Sequence, residues 1–239
     1  MNGSQHATPA GDQNANILDV RGLHIPARGA LPTMSLDLTL VAGELVMIHS
    51  NDEQRDGNIV DRLLGLHEPP QAGVRLFGRE WVELDHEQAF LLRREVGRVR
   101  HRGNWMEGRS VMDNILLPAM HNTVTPVAEL RRTASALAQQ FGLPGLPTLT
   151  PSRVPPSDLQ RAACVRAFLG RPTLVILEHT LDTQESDLLA PMMNAIQQVR
   201  RRRGAVLWFT GHRGLARDRS IPVDRRLQIV GSRLVSLRS

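Results

Sequence analysis

At 239 residues, with 41% hydrophobic content and a net charge of +5, the chain is long enough for one large domain with a sizeable core. A single cysteine, Cys164, excludes an internal disulfide and fits a reducing compartment. No apolar run reaches the roughly 18 residues that a membrane-spanning helix needs, and all 29 cationic side chains are arginine, so no chemistry that calls for lysine is available.

In chain order, residues 1–15 (MNGSQHATPAGDQNA) are polar, lack the apolar stretch of a secretory signal and are expected to form a disordered leader. Segments 17–25 (ILDVRGLHI) and 35–41 (SLDLTLV) alternate apolar and polar residues, the pattern of partly exposed strands in an antiparallel layer. Ala42-Gly43 marks a turn, and 44–49 (ELVMIH) reads as a short strand of a sheet covered on both faces. Segment 50–57 (SNDEQRDG) reads as a loop. The spacing of 58–66 (NIVDRLLGL) predicts a helix with Ile59, Leu63 and Leu66 on one face. After a turn at 67–73 comes a strand over 74–78 (VRLFG).

Residues 85–95 read as a helix and 96–101 (VGRVRH) as a short strand. A helix over 110–120 starts at Ser110, a plausible N-cap with Asp113 at capping-box spacing. Segment 126–141 is an amphipathic helix with Pro126 in its first turn. Five prolines make 142–156 a connector. A helix with a small-residue face over 157–169 precedes a buried strand, 173–178 (TLVILE). A long helix over 186–203, a buried strand over 205–212 and a hairpin over 225–238 around Gly231-Ser232 complete the chain. Strands alternating with helices give an α/β fold with a parallel sheet. The segment 85–156 is helix-dominated and interrupts it.

This order resembles the nucleotide-binding subunit of ABC transporters over about residues 17–238. The strand–loop–helix run from Gly43 to Gly78 is similar to the phosphate loop and the turn that follows it. SVMDNILLP (110–118) is similar to the stretch after the Q-loop, and the run from Ser157 to His179 to the signature helix and Walker B strand. The resemblance implies a P-loop NTPase-like fold over 16–239: a parallel sheet flanked by helices, an antiparallel β layer, and a helical subdomain at about 102–160. The stretch from Val96 to Pro118 most resembles ATPases that serve lipid transporters, including the maintenance-of-lipid-asymmetry type.

The nucleotide motifs of that family do not match. A phosphate loop needs glycines whose N–H groups face phosphate, a lysine for charge, and a Ser or Thr for magnesium. Aligned on the following helix, the lysine position is Asp56, the Ser/Thr position Gly57, and the flanking glycines Ser50 and Arg55, with Asn51 between them. A carboxylate about 4 Å from phosphate costs roughly 4 kcal/mol at an effective dielectric of ~20. Asp52, Gln54 and Asp56-Gly57 imitate the opening of a calcium loop, but its twelfth position is Leu63 rather than glutamate, so a solvated acidic turn is expected and no metal site. The region HIPARGA (24–30) lacks the aromatic that holds adenine. His101 stands at the Q-loop position, either as a pH-sensitive or metal-binding group or as a solvated loop residue.

The signature aligns with Val154, Pro155, Pro156 and Ser157, and proline has no N–H to offer a phosphate. Glu178 and His179 replace the Walker B Asp and Glu. The D-loop falls on Thr183 to Ser186, and His212 matches the switch histidine, followed by Arg213. The resemblance therefore implies a pseudo-ATPase, with no catalytic residue and no cofactor expected. It would act as scaffold or regulator with a membrane-spanning subunit and as a homo- or heterodimer with another ABC ATPase subunit, on the inner face of the cell membrane. Docking would use Arg102 to Asp113, with Trp105 and Met106 as anchors or, equally, as core residues. One alternative is an ATPase using magnesium-ATP with Arg55 for charge and His179 as base. Another is a soluble module touching nucleic acid through Arg200 to Arg203; since cations stabilise a helix C-terminus in any case, no nucleic-acid partner is expected.

Overall fold

The structure is a computed structural model that describes residues 16–67, 72–101, 103–122, 124–181 and 186–237. The expected leader, Arg102 and most of the D-loop lie outside them.

Among the described residues ten strands form two sheets. The antiparallel layer contains β1 (Asn16–Ile25), β2 (Met34–Val41), β4 (Val74–Leu76) and β5 (Arg79–Glu80), in the order β2-β1-β4-β5. In β2 the alternation predicted from sequence is realised: Met34, Leu36, Leu38 and Leu40 are buried and the residues between them are not. The main sheet has the order β10-β9-β3-β8-β7-β6, built from β3 (Leu45–His49), β6 (Val96–Val99), β7 (Leu174–Glu178), β8 (Ala205–Thr210), β9 (Arg225–Val230) and β10 (Arg233–Ser236). Its pairings are parallel except for β9 with β10.

The central strands are apolar throughout because both faces of the main sheet are covered. Val46, Ile48, Ile176, Leu207 and Phe209 join the core that includes the antiparallel layer. Leu45, Met47, Val175, Leu177, Val206 and Trp208 join the core that includes the helices of the opposite face. The helices are α1 (Glu53–Leu63), α2 (His86–Arg93), α3 (Val111–Asn122), α4 (Val127–Gln140), α5 (Pro156–Leu169), α6 (Ser186–Arg201) and the short α7 (Arg213–Arg217). Ser110 caps α3 as expected, its hydroxyl accepting from Asp113 N at 3.0 Å. Asp85 caps α2 in a reciprocal box with Gln88.

One element departs from the expectation where it matters for the site. The helix after β3 starts at Glu53, not at 58, so most of the expected acidic loop is helical. The sequence carries the reason: Asp52 is an N-cap, and Glu53 and Asp56 sit in the first turn, where carboxylates favour the helix dipole. The same helix ends at Leu63. Leu66 lies beyond it, half exposed, and does not share the buried face of Ile59 and Leu63.

Candidate functional site

The site lies where the ends of β3 and β7 meet the N-terminus of α1. Ser50 N donates to Thr210 O at 3.0 Å, continuing the β3–β8 pairing one residue past the strand. A helix has four N–H groups with no intrahelical acceptor, and in a phosphate loop such donors face the ligand. Here one of these donors, Arg55 N, is engaged by Asp52 Oδ1 at 2.7 Å, and Asp56 N makes the first intrahelical bond, to Asp52 O at 3.0 Å.

Asp56 is fully buried. Its Oδ1 accepts from Ser50 Oγ at 2.8 Å, and its Oδ2 is hydrogen-bonded to His179 Nε2 at 2.9 Å. Burial pushes the Asp56 carboxyl above the usual carboxylate range, opposed by its hydrogen bonds to His179 and Ser50 and by the charges of His179 and Arg55. The solvated acidic turn expected from sequence is corrected here: Asp56 turns into the protein, and its partner is 123 residues away. His179 is itself buried and has a positive φ of 53°. Its carbonyl accepts from His101 Nδ1 at 3.0 Å. His101 is thus half-buried against the site rather than solvated.

A second network closes the outer side. Glu178, buried, takes a two-point contact from Arg98, Nε to Oε1 at 2.5 Å and the second nitrogen to Oε2 at 2.9 Å. Arg98 also reaches Asp61 at 2.5 Å, and Arg100 reaches the same carboxylate oxygen at 2.8 Å. Burial works against the charge on Arg98, but Glu178 and Asp61 outweigh it, so its pKa lies above the ordinary arginine value. A Cβ added at Gly57 would lie 3.7 Å from Glu178 Oε2, in ordinary contact. Arg55 points elsewhere, donating to Gly231 O at 2.9 Å in the β9–β10 turn. What remains open is a cleft of about 380 Å³ whose lining mixes Glu53, Asp61 and Glu178 with Arg98, Arg100 and His101. Among the described residues no group of three or more His, Cys, Asp or Glu is placed to hold a metal ion.

Against solved structures, the chain superposes on the dimeric structure of MJ0796, a bacterial ABC transporter cassette, with a TM-score of 0.78 and 17% identity, covering 93% of this chain and 99% of that one. The chain has the ABC ATPase fold. Its sequence is related to ATP-binding subunits of ABC transporters. It is 29% identical to the lipoprotein-releasing system ATP-binding protein LolD of Pseudomonas syringae pv. tomato, over 84% of this chain and 87% of that protein. It is 25% identical to the L-cystine transport system ATP-binding protein TcyN of Escherichia coli, over 85% and 83% respectively. The methionine import ATP-binding protein MetN 1 of Acinetobacter baylyi matches at 20%, and the chain spans only 49% of its length. No family model matches the chain.

On this ABC ATPase fold the remaining predicted positions fall apart from the Asp56–His179 pair. Pro155 is the N-cap of α5 and Pro156 its first residue, so the signature helix begins without either N–H; Val154 is buried. His212 is exposed and caps α7, its Nδ1 accepting from Leu215 N at 2.9 Å. Trp105 is half-buried beneath Arg166, whose guanidinium lies 4.4 Å from the ring centroid, and Met106 is 48% exposed. Arg200 is engaged by Gly43 O, Pro222 O and Asp224, which gives it a structural role. Arg98 and Asp61 were not foreseen. The available signal was an arginine inside a short strand, a residue that demands a counterion when half-buried.

Proposed function

We propose that this chain is a pseudo-ATPase subunit, an ABC-type nucleotide-binding fold kept for docking within a membrane transport complex. The observation that carries the reading is the closure of the phosphate position by Ser50, Asp56 and His179. The obstacle to a triphosphate is stronger than charge repulsion. The lysine position is filled by a buried hydrogen-bonded pair, and the N–H of Arg55 beside it is taken by Asp52. Arg55 and His179, the groups an unusual ATPase would need, are held by Gly231 and Asp56.

The subunit pairs with another ABC ATPase subunit and sits under a membrane-spanning one, on the inner face of the cell membrane. It needs no nucleotide for this role. Among the described residues no helix is long and apolar enough to cross a membrane, so attachment runs through the partner, with Trp105 and Met106 at the contact. A lipid or lipid-linked cargo is favoured by the 96–118 stretch and by a relative named for lipoprotein release.

Calorimetric titration of the full chain with magnesium-ATP tests the reading. No heat and no thermal shift at millimolar ligand is the expected result. Micromolar binding would overturn it and would mean that the Asp56–His179 pair opens.

A further inference from the structure

Helix α2 turns one face into the protein and leaves another bare. Its start is fixed by the Asp85–Gln88 capping box, and Ala89 and Leu92 are buried. Its far end is clamped. Arg93 donates to Leu64 O at 2.9 Å and to Gly65 O at 2.5 Å, and its guanidinium lies 5.1 Å from the ring centroid of buried Trp81. Trp81 in turn donates to Leu63 O at 2.9 Å. A Cβ at Gly65, which has φ +59°, would lie 2.6 Å from the indole, so only glycine permits this approach. The helix is a fixed platform before any partner arrives.

Its outer face carries Glu87, Phe90, Leu91 and Arg94, at the i, i+3, i+4 and i+7 spacing of a single helical stripe. Phe90 and Leu91 are 47% and 46% exposed, and among the described residues Phe90 is the only exposed aromatic. Leu66 and Val82 are also about half exposed. They adjoin Gly65 and Trp81, where Arg93 binds, and so widen the apolar patch. Among the described residues neither Glu87 nor Arg94 forms an ion pair. The helix dipole accounts for an acid in the first turn and a base at the end. It does not account for two large apolar side chains left bare between them. An apolar centre flanked by charges of both signs is the make-up of a protein interface.

The stripe is its own complement. Glu87 lies three residues before Phe90, and Arg94 three residues after Leu91. Two such helices, laid antiparallel about a two-fold axis through the Phe90–Leu91 midpoint, set Glu87 of each against Arg94 of the other, with Phe90 against Leu91 between them. We infer that α2 is a self-association face, which pairs with α2 of a second copy of this chain in an isologous dimer. A second copy fits better than an anionic lipid surface, which would meet Glu87 as well as Arg94. This pairing is separate from any at the nucleotide face. α2 is clamped at the C-terminal end of α1, whereas Asp56 sits in the first turn, at the other end of an 11-residue helix about 16 Å long. The patch is small for a specific interface, so a micromolar dimer is expected.

Sedimentation equilibrium of the full chain, without nucleotide, provides the test. The expected result is a monomer–dimer equilibrium in the micromolar range. Glu87→Arg sets an arginine against Arg94 at both ends of the helix pair, and Arg94→Glu sets a glutamate against Glu87. Each should weaken self-association at least about tenfold in a chain whose melting curve shows it folded. Mixing the two variants should restore association, because every reversed charge then faces its opposite. A misfolded chain would not recover in this way. A chain that stays monomeric at about 100 µM would overturn the inference. So would a dimer indifferent to both reversals, which would place self-association on another face, or weakened variants that fail to recover when mixed.

Discussion

The two clefts that Arg98 lines, one on the α1 side and one on the Trp105 side, differ in how their charges are settled. On the α1 side the charged groups at predicted phosphate-handling positions have partners inside the chain: Asp56 with Ser50 and His179, Glu178 with Arg98, Arg55 with Gly231. On the Trp105 side Arg166 of α5 has, among the described residues, only carbonyls and an aromatic face. A buried charge is costly unless paired. The fold thus neutralises one cleft internally and leaves Arg166 beside the other without a carboxylate among the described residues. On the reading proposed above, the face that handles nucleotide in ABC ATPases serves structure in this chain.

The contrast can be broken most forcefully at Arg98. Arg98→Met removes the two-point partner of buried Glu178 and leaves that carboxylate uncompensated, at a cost of about 3–5 kcal/mol. For a chain of this length each kcal/mol lowers Tm by roughly 2–4 °C, so differential scanning calorimetry should register a large drop. A small one would mean that the network is not holding the site closed.

Next in size is Asp56→Ala, which strips partners from buried Ser50 and His179 and should cost about 1–3 kcal/mol in urea denaturation. Asp56→Asn keeps the shape and should cost less. It also carries a pH signature. Burial raises the folded-state pKa of Asp56 above its unfolded value near 3.8. Its contribution is therefore fully present below that unfolded value and is lost as pH rises through the raised folded one. The asparagine cannot ionise. The stability difference between wild type and Asp56→Asn should then move in favour of the variant as pH rises across the acidic range. A difference independent of pH would show that Asp56 does not titrate with folding.

The central strands were legible because buried strands announce themselves: TLVILE and AVLWFT read as strands of a sheet covered on both faces. The antiparallel layer was legible from alternation in SLDLTLV. The start of α1 was not. SNDEQRDG is polar enough to read as loop, although Asp52 with Glu53 and Asp56 behind it is also a helix N-terminus, and the capping signal outweighs polarity. The partner of Asp56 was beyond reach of local reasoning. A pairing across 123 residues is created by the β3–β8–β7 order, and His179 was aligned as a failed base before it could be seen as a structural hydrogen-bond partner. His101 was misplaced for the same reason, since its contact is a carbonyl of β7's end and not a neighbour in sequence.

The smallest expected effect is also the sharpest comparison. Arg166→Met removes a cation of the same type as Arg98, from the same region, but one with no carboxylate to orphan. What is lost is the stacking on Trp105, worth about 0.5–1 kcal/mol at a partly exposed site, and contacts to two backbone carbonyls. What is gained is relief of repulsion with Arg100. The net change in stability should stay within about 1 kcal/mol, well below that of Arg98→Met measured in the same buffer. Equal losses at the two arginines would mean that Arg166 is as fully integrated into the fold as Arg98. A near-neutral Arg166→Met beside a damaging Arg98→Met separates a charge the fold needs from one it does not.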